Sequence, residues 1–456
     1  MYLISIFFEI ILIEFINLVG KINPKIKNWA LNKIKIYKLR KICKYAYFNS
    51  SFYRKFYNDH GIFENDLSTI TFEKIPVISK KEIIENINEV YTVKDLNKDE
   101  IFKYIYDEKS PELYKNNYIC YATSGSLGTK FPVSNSLIDF RKIIFTSFIY
   151  GSKSFKFLFG KKIKIALIGL INGRGAGISI FRNCPQSIYN RKEISILDSV
   201  DNIIEQLNNF MPEQIISYPG IFVSLISHKK NGKLKINPKL IILSGEVLSD
   251  ENTKLILEIF KCKLINSYNA SECFNMGLKR NEKPYMIFPN LCHIEILDND
   301  NKPASAGKLG RVIVTNFINR TQPFIRYDIG DCALNYINEK GEQIFNGVEG
   351  RSYKPLEFKN NSGDKIEIAY LSFYGITIFT SGIIKAQMHI GHNCFKTLLV
   401  GDDEGIQKCK ESFEDYLKKL NIDQTVKFKI EKVNDIQPEL NGKIPFIKYE
   451  NSLIIY

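Results

Sequence analysis

Between Cys120 and Asn135 the chain reads CYATSGSLGTKFPVSN, which sets two hydroxyls, Thr123 and Ser124, ahead of Gly125, Ser126 and Gly128. Such a cluster serves either as an ordinary turn between apolar stretches or as a loop whose backbone N–H groups and hydroxyls face phosphate oxygens. Two further groups stand just past strand-like runs: Ser244, Gly245 and Glu246 after PKLIIL, and Tyr268 to Glu272 at the close of CKLINSYNASE. Side chains at strand ends are the ones an α/β sheet offers to a ligand.

The runs that position these groups alternate in kind. KKIKIALIGL (161–170), PEQIISYPG and PKLIILSGE are short apolar stretches closed by turn residues, as strands are. Between them VDNIIEQLNNF (200–210) places Ile203, Ile204, Leu207 and Phe210 on one helical face, and DENTKLILEIFK reads as a helix with Asp250 as its N-cap. Strand, helix, strand in this rhythm predicts a doubly wound α/β core with helices on both faces. After residue 290, CHIEILD, GRVIVTNF and CALNYI predict a β subdomain. Beyond a boundary near Gly350 the pattern restarts as a small α+β unit, with strands near 384–390, 396–400 and 425–433 and the helix IQKCKESFEDYLKKL. The expected division is 1–58, 59–350 and 351–456.

Residues 1–58 hold eleven Lys or Arg against Glu9 and Glu14, so +9 of the net +14 lies there. A charge so concentrated, without a recognition motif, is not that of a nucleic-acid binder. MYLISIFFEIILIEFINLV lacks a basic start and a cleavage site, which makes a poor signal peptide, and its two carboxylates make a poor spanning helix. An apolar segment followed by bases suits contact with an anionic membrane surface; a first helix packed on the body with a solvated basic face is the alternative. Nine scattered cysteines with no C-x-x-C pair point to a reducing cytoplasm, and the spacing of Cys273, Cys292 and His293 fits no standard zinc site.

Five stretches in order resemble the motifs of adenylate-forming enzymes: TSGSLG (123–128), YNASE (268–272), FIRYDIGD (324–331), EGR (349–351) and NGK (441–443). AYFNSSFYRKFY (46–57), YPG (218–220) and TNFINRTQPFIRYDIGD (315–331) are similar to the branch holding phenylacetate–coenzyme A ligase and related capsular polysaccharide biosynthesis proteins. The resemblance covers residues 30–445. It implies a large N-terminal adenylation domain with a small mobile C-terminal domain, and activation of a carboxylic acid with ATP and Mg²⁺. The acyl group then passes to coenzyme A, or to an amine or hydroxyl acceptor, in the cytoplasm or at the inner face of the membrane.

The same resemblance implies the roles. Thr123, Ser124, Gly125, Ser126 and Gly128 would wrap the β- and γ-phosphates, and Ser244, Gly245 and Glu246 would form one wall of the adenine pocket. Tyr268 would offer a flat face to adenine, beside Asn269. Glu272, preceded by Ser271, would hold Mg²⁺. Asp331 would accept the ribose hydroxyls, Arg351 would donate to the nucleotide, and Lys443 would neutralise charge at the α-phosphate. The chain departs from the pattern at Leu127, at Lys130-Phe131-Pro132, at Asn269 and at Tyr353. A catalytically impaired nucleotide-binding scaffold at a membrane is the competing reading of those departures.

Overall fold

The structure, a computed structural model, describes residues 2–107, 109–122, 131–152, 160–245, 248, 250–281, 284–298, 300–337, 343–347, 356–368, 370–378, 380–436 and 446–450. Thr123 to Lys130, Glu246, Arg351, Tyr353 and Lys443 lie outside these residues, as does the boundary near Gly350.

Strands β1 (Tyr118–Ala122) and β2 (Pro132–Ser136) pair antiparallel, with Ala122 opposite Pro132, so the hydroxyl and glycine stretch leaves one strand and returns to the other. Next in the chain come β3 (Ile163–Gly169), β4 (Tyr189–Ser195), β5 (Gln214–Ser217), β6 (Leu240–Ser244), β7 (Lys263–Tyr268), β8 (Gly277–Arg280) and β9 (Met286–Ile287). They form one sheet in the order β4-β3-β5-β6-β7-β8-β9. The first five are parallel, and β8 and β9 are added antiparallel. Alternation along β3 shows why both faces need cover. Ala166 and Ile168 pack with Ile203, Ile204, Leu207 and Phe222, while Ile165 and Leu167 pack with Ile178 and Phe181. This is the expected doubly wound core. The helix read from residue 250 spans Asp250–Phe260, so Asp250 is its first residue rather than the residue preceding it.

Strands β10 (Cys292–Leu297), β11 (Leu309–Asn316) and β12 (Tyr327–Leu334) form an antiparallel three-stranded sheet, where the sequence predicts β structure. Near the carboxyl end, strands Ile383–Gly391, Cys394–Gly401, Lys427–Lys432 and Ile447–Tyr449 make a four-stranded sheet. The helix Asp403–Lys419 buries Cys409, Phe413, Tyr416 and Leu417. One apolar cluster runs from this unit into the doubly wound sheet. The helix Tyr370–Ile378 touches the residue after β3 closely enough that a Cβ on Gly375 would stand 2.1 Å from Leu170. Any side chain there would force Leu170 to shift.

The front of the chain is three helices, α1 (Tyr2–Ile22), α2 (Pro24–Asn49) and α3 (Ser51–Asp59). Asn23 separates the first two and caps α2, its Oδ1 accepting from the N–H groups of Lys25 and Ile26, with Pro24 at the first helical position. Helix α1 is apolar on both sides. Ile10, Ile13 and Ile16 are buried, whereas Phe8, Ile11, Leu12, Phe15, Leu18 and Ile22 form an outward stripe, with Phe8 64% and Ile22 88% exposed. Among the described residues no helix is long and apolar enough to cross a membrane.

Candidate active site

The YNASE stretch folds as the end of β7 followed by a tight turn. Ala270 and Cys273 exchange backbone hydrogen bonds of 3.2 and 3.1 Å, which leaves Ser271 and Glu272 at the tip. Asn269 fastens this turn to its neighbours. Its Nδ2 donates to Ser244 Oγ at 2.8 Å and to Ser267 Oγ at 3.0 Å, and its Oδ1 accepts from the Asn275 N–H at 2.7 Å. The amide that replaces the commoner glycine thus ties the end of β7 to the end of β6. Gly245 follows Ser244 with φ of +87°.

Three tyrosines from three sheets tie the end of β7 and its turn to β1 and β12. Tyr121 of β1 donates to the Ser271 carbonyl at 2.9 Å. Tyr327 of β12 donates to Glu272 Oε1 at 3.1 Å. Tyr268 of β7 donates to Asp331 Oδ2 at 3.0 Å. Asn316 Nδ2 also donates to the Glu272 carbonyl at 3.0 Å. Burial pushes the Tyr121 phenol well above its ordinary pKa, with the Glu272 carboxylate adding to the shift and the Asn135 amide opposing it, so it remains a donor. The Cys273 thiol is likewise held well above its usual range, first by burial and then by its contact with Cys292.

The Gly-Asp of FIRYDIGD has a local geometric cause. Arg311 pairs with Cys332 and Ile313 with Asp328, so Ile329, Gly330 and Asp331 bulge opposite the single residue Val312. Gly330 takes φ of +77°, open to glycine, and the bulge re-aims Asp331 toward Tyr268. Arg326, also at positive φ, is structural. Its buried guanidinium bonds Glu295 through Nε and Nη2 and the Ile75 carbonyl through Nη1.

The segment leading to β12 also fixes β2, the strand that follows the hydroxyl and glycine stretch in the chain. Gln322 Oε1 accepts from the Ser134 N–H at 2.9 Å, its Nε2 donates to the Pro132 carbonyl at 3.2 Å, and Asn319 Nδ2 donates to the Ser134 carbonyl at 3.0 Å. From α3, Tyr53 in the AYFNSSFYRKFY stretch donates to the Pro323 carbonyl at 2.7 Å and accepts from the Ile325 N–H.

Ser244, Tyr268, Asn269, Ser271, Glu272 and Asp331 are therefore brought together at the carboxyl ends of β6 and β7, and both strands flanking residues 123–130 are anchored beside them. One face of Tyr268 is stacked on Phe345 at 4.9 Å, with Tyr285 edge-on. Sequence reasoning missed Tyr121, Tyr327, Gln322 and Phe345. Tyr327 lies inside a motif already singled out, and its place in the strand that carries Asp331 was the available signal. Among the described residues no cation pairs with the Glu272 carboxylate, and no cluster of three His, Cys, Asp or Glu is built to hold a metal. A single carboxylate of this kind fits an ion that takes its remaining oxygens from phosphates and water.

No family model matches the chain. Over 295 residues it is 23% identical to Protein CapK of Staphylococcus aureus, a match covering 62% of this chain and 59% of CapK, less than two thirds of that relative. Among solved structures it is similar to 2-hydroxyisobutyryl-CoA ligase in complex with 2-HIB-AMP and CoA, with TM-score 0.58 and 16% identity over 92% of this chain and 90% of that one. The same ligase in its postadenylation state, with R3-HIB-AMP, gives TM-score 0.54 at 16% identity over 92% and 89%. The chain thus shares the fold of 2-hydroxyisobutyryl-CoA ligase and is distantly similar to CapK over part of both chains.

Proposed function

We propose that the protein is an ATP-dependent adenylate-forming ligase. A carboxylate oxygen of the acid bonds to the α-phosphorus of ATP, the bond to the β-phosphate bridging oxygen breaks, and pyrophosphate leaves with the electron pair. A nucleophilic acceptor then attacks the acyl carbon and AMP departs. The observation that carries this reading is the convergence of Ser244, Tyr268, Asn269, Glu272 and Asp331, from separate strands, beside the anchored root of residues 123–130.

Within that reading Asp331, oriented by Tyr268, receives the ribose hydroxyls, and Ser244 with Gly245 and Glu246 borders the base. Thr123, Ser124, Gly125, Ser126 and Gly128 hold phosphate. Glu272, oriented by Tyr327, holds Mg²⁺, which supplies charge neutralisation to the phosphates. Arg351 and Lys443 complete the nucleotide's surroundings from the small C-terminal domain, Lys443 placing its ammonium where negative charge develops. The 2-hydroxyisobutyryl-CoA ligase complexes, with acyl-AMP and CoA, support CoA as acceptor; an amine or hydroxyl acceptor is the alternative. Carboxylate-dependent ATP–pyrophosphate exchange over a broad acid panel tests the first half-reaction. Lys443→Ala should lower it by about 100-fold or more, the scale of losing a transition-state charge contact. Folded protein that exchanges with no acid, yet binds ATP in a calorimeter, would establish the scaffold reading in its place.

The α1–α2 hairpin sets this enzyme on an anionic bilayer. The outward stripe of α1 is continued on α2 by Ile26, Trp29 and Tyr37, all exposed, with Lys33 over the Trp29 ring at 6.0 Å and Lys41 over Tyr37 at 5.9 Å. Aromatic rings and lysine stems of this kind suit a lipid–water boundary, and α2 carries no carboxylate to oppose anionic headgroups.

A further inference from the structure

A cavity of about 480 Å³ lies beneath the same hairpin, behind the Tyr285 and Phe345 rings that pack on Tyr268. Strand β9 ends the seven-stranded sheet and β10 ends the three-stranded one, and residues of α1 and α2 cover the two edges together. Covering an edge hides its unpaired backbone. Here the cover leaves a chamber with two unlike walls. The sheets contribute apolar surface through Ile287, Ile294 and Ile296, with Phe345 beside them. The helices contribute the amides of Asn17, Asn28 and Asn32 and the ammonium groups of Lys27 and Lys35. No Asp or Glu is among the lining residues.

Lys35 is the informative member. Among the described residues it makes no ion pair or hydrogen bond, although burial holds its pKa below the ordinary lysine range, the Cys292 thiol only partly opposing this. His293, on the facing sheet wall, is pushed well below its usual value by burial, then by Lys35 and Arg326, and stays neutral. A largely desolvated ammonium facing amide donors, with no carboxylate in the chamber, lacks its counter-charge.

We infer that this cavity binds an amphipathic anion: a carboxylate- or phosphate-headed molecule whose head meets Lys35 and the asparagine amides and whose apolar body lies on Ile287, Ile294 and Phe345. Phe345 is the ring stacked on Tyr268, so the ligand sits behind the aromatic wall of the candidate nucleotide site without entering it. The inference does not rest on the adenylation reading.

The test is calorimetric titration of the full chain, without nucleotide, with octanoate, octyl phosphate and octyltrimethylammonium below their micellar concentrations. One saturable site for at least one anion is expected, and none for the cation; the tighter of octanoate and octyl phosphate identifies the head group. Lys35→Met should weaken binding about tenfold or more, the scale of a lost charged hydrogen bond. Lys35→Arg, and Lys230→Met on an exposed surface far from the hairpin, should stay within about twofold of the parent. Lys35→Met should also melt no lower than the parent without ligand, since it removes an uncompensated charge. Should that variant fail to fold, Asn32→Leu, on the exposed side of α2, replaces it, with a weaker but measurable loss expected. No saturable site for either anion, or unchanged affinity in a folded Lys35→Met or Asn32→Leu protein, would overturn the inference.

Discussion

The Tyr268 hydroxyl donates to Asp331 Oδ2 across 3.0 Å, joining the end of a parallel strand to a bulge in a different sheet. Tyr268→Phe deletes that donor and keeps the ring on Phe345. A hydrogen bond to a charged acceptor is worth about 1.5–3 kcal/mol, so binding of ATP should weaken by about 10-fold or more while the fold persists. Calorimetric ATP affinity with a matched melting curve checks this; an unchanged affinity separates Asp331 from ribose recognition.

Glu272→Gln should lower pyrophosphate exchange by about 100-fold, because the amide lacks the charge that a hard cation selects. Its Oε1 can still accept from Tyr327, so melting should barely move. Tyr327→Phe loosens the carboxylate without removing it, and the expected loss is smaller, on the order of tenfold, with a raised requirement for free Mg²⁺. Exchange rates against metal concentration distinguish the two variants.

Gln322 bonds two backbone groups of β2, the strand to which residues 123–130 return. Gln322→Ala leaves the Ser134 N–H and the Pro132 carbonyl buried without these partners, which should cost about 1–3 kcal/mol of stability. If β2 carries the phosphate-holding stretch, the Michaelis constant for ATP should rise more than kcat falls. Denaturant unfolding and steady-state kinetics supply both readings.

His293 gives a pH dependence with a definite sign. Its folded-state pKa is depressed, so the unfolded chain binds the extra proton first, and stability present above the ordinary imidazole value of about 6.5 is lost as pH falls below it. One proton sets a limiting slope of about 1.4 kcal/mol per pH unit. His293→Phe should flatten stability between pH 6.5 and pH 5, read by urea unfolding at each pH, relative to the parent.

Phe8→Glu combined with Phe15→Glu charges the outward stripe of α1 without touching Ile10, Ile13 or Ile16. Flotation with vesicles rich in anionic lipid should fall by about tenfold or more relative to the parent, since each buried aromatic contributes about 1.5–3 kcal/mol. Neutral vesicles should bind the parent weakly. Equal flotation of parent and variant would place α1 against something other than lipid.

Elements formed by local pattern were the legible part of this chain. The alternating strands and helices from Ile163 to Tyr268, the β-rich stretch after residue 290 and the helix ending at Lys419 all follow from apolar spacing and turn residues. Partnerships across sheets were not legible. Tyr121 reads as one more apolar strand residue, and Gln322 as a polar loop residue; only the packed fold shows each reaching a specific backbone group. Asn269 reads as a departure from a motif, yet its side-chain hydrogen bonds give it a positional role that glycine could not fill. The two faces of α1 were hidden for a different reason: where nearly every position is apolar, periodicity cannot tell the buried side from the bare one.

Tyr121, Tyr268 and Tyr327 belong to three separate sheets, and their hydrogen bonds tie β1 and β12 to the end of β7. These ties form only after all three sheets have docked. A nucleotide held at Asp331 and Glu272 would act as a rivet, its binding energy distributed over the joined layers rather than over one strand. Saturating nucleotide should therefore delay global melting by mass action and slow amide exchange in β1, β7 and β12 together.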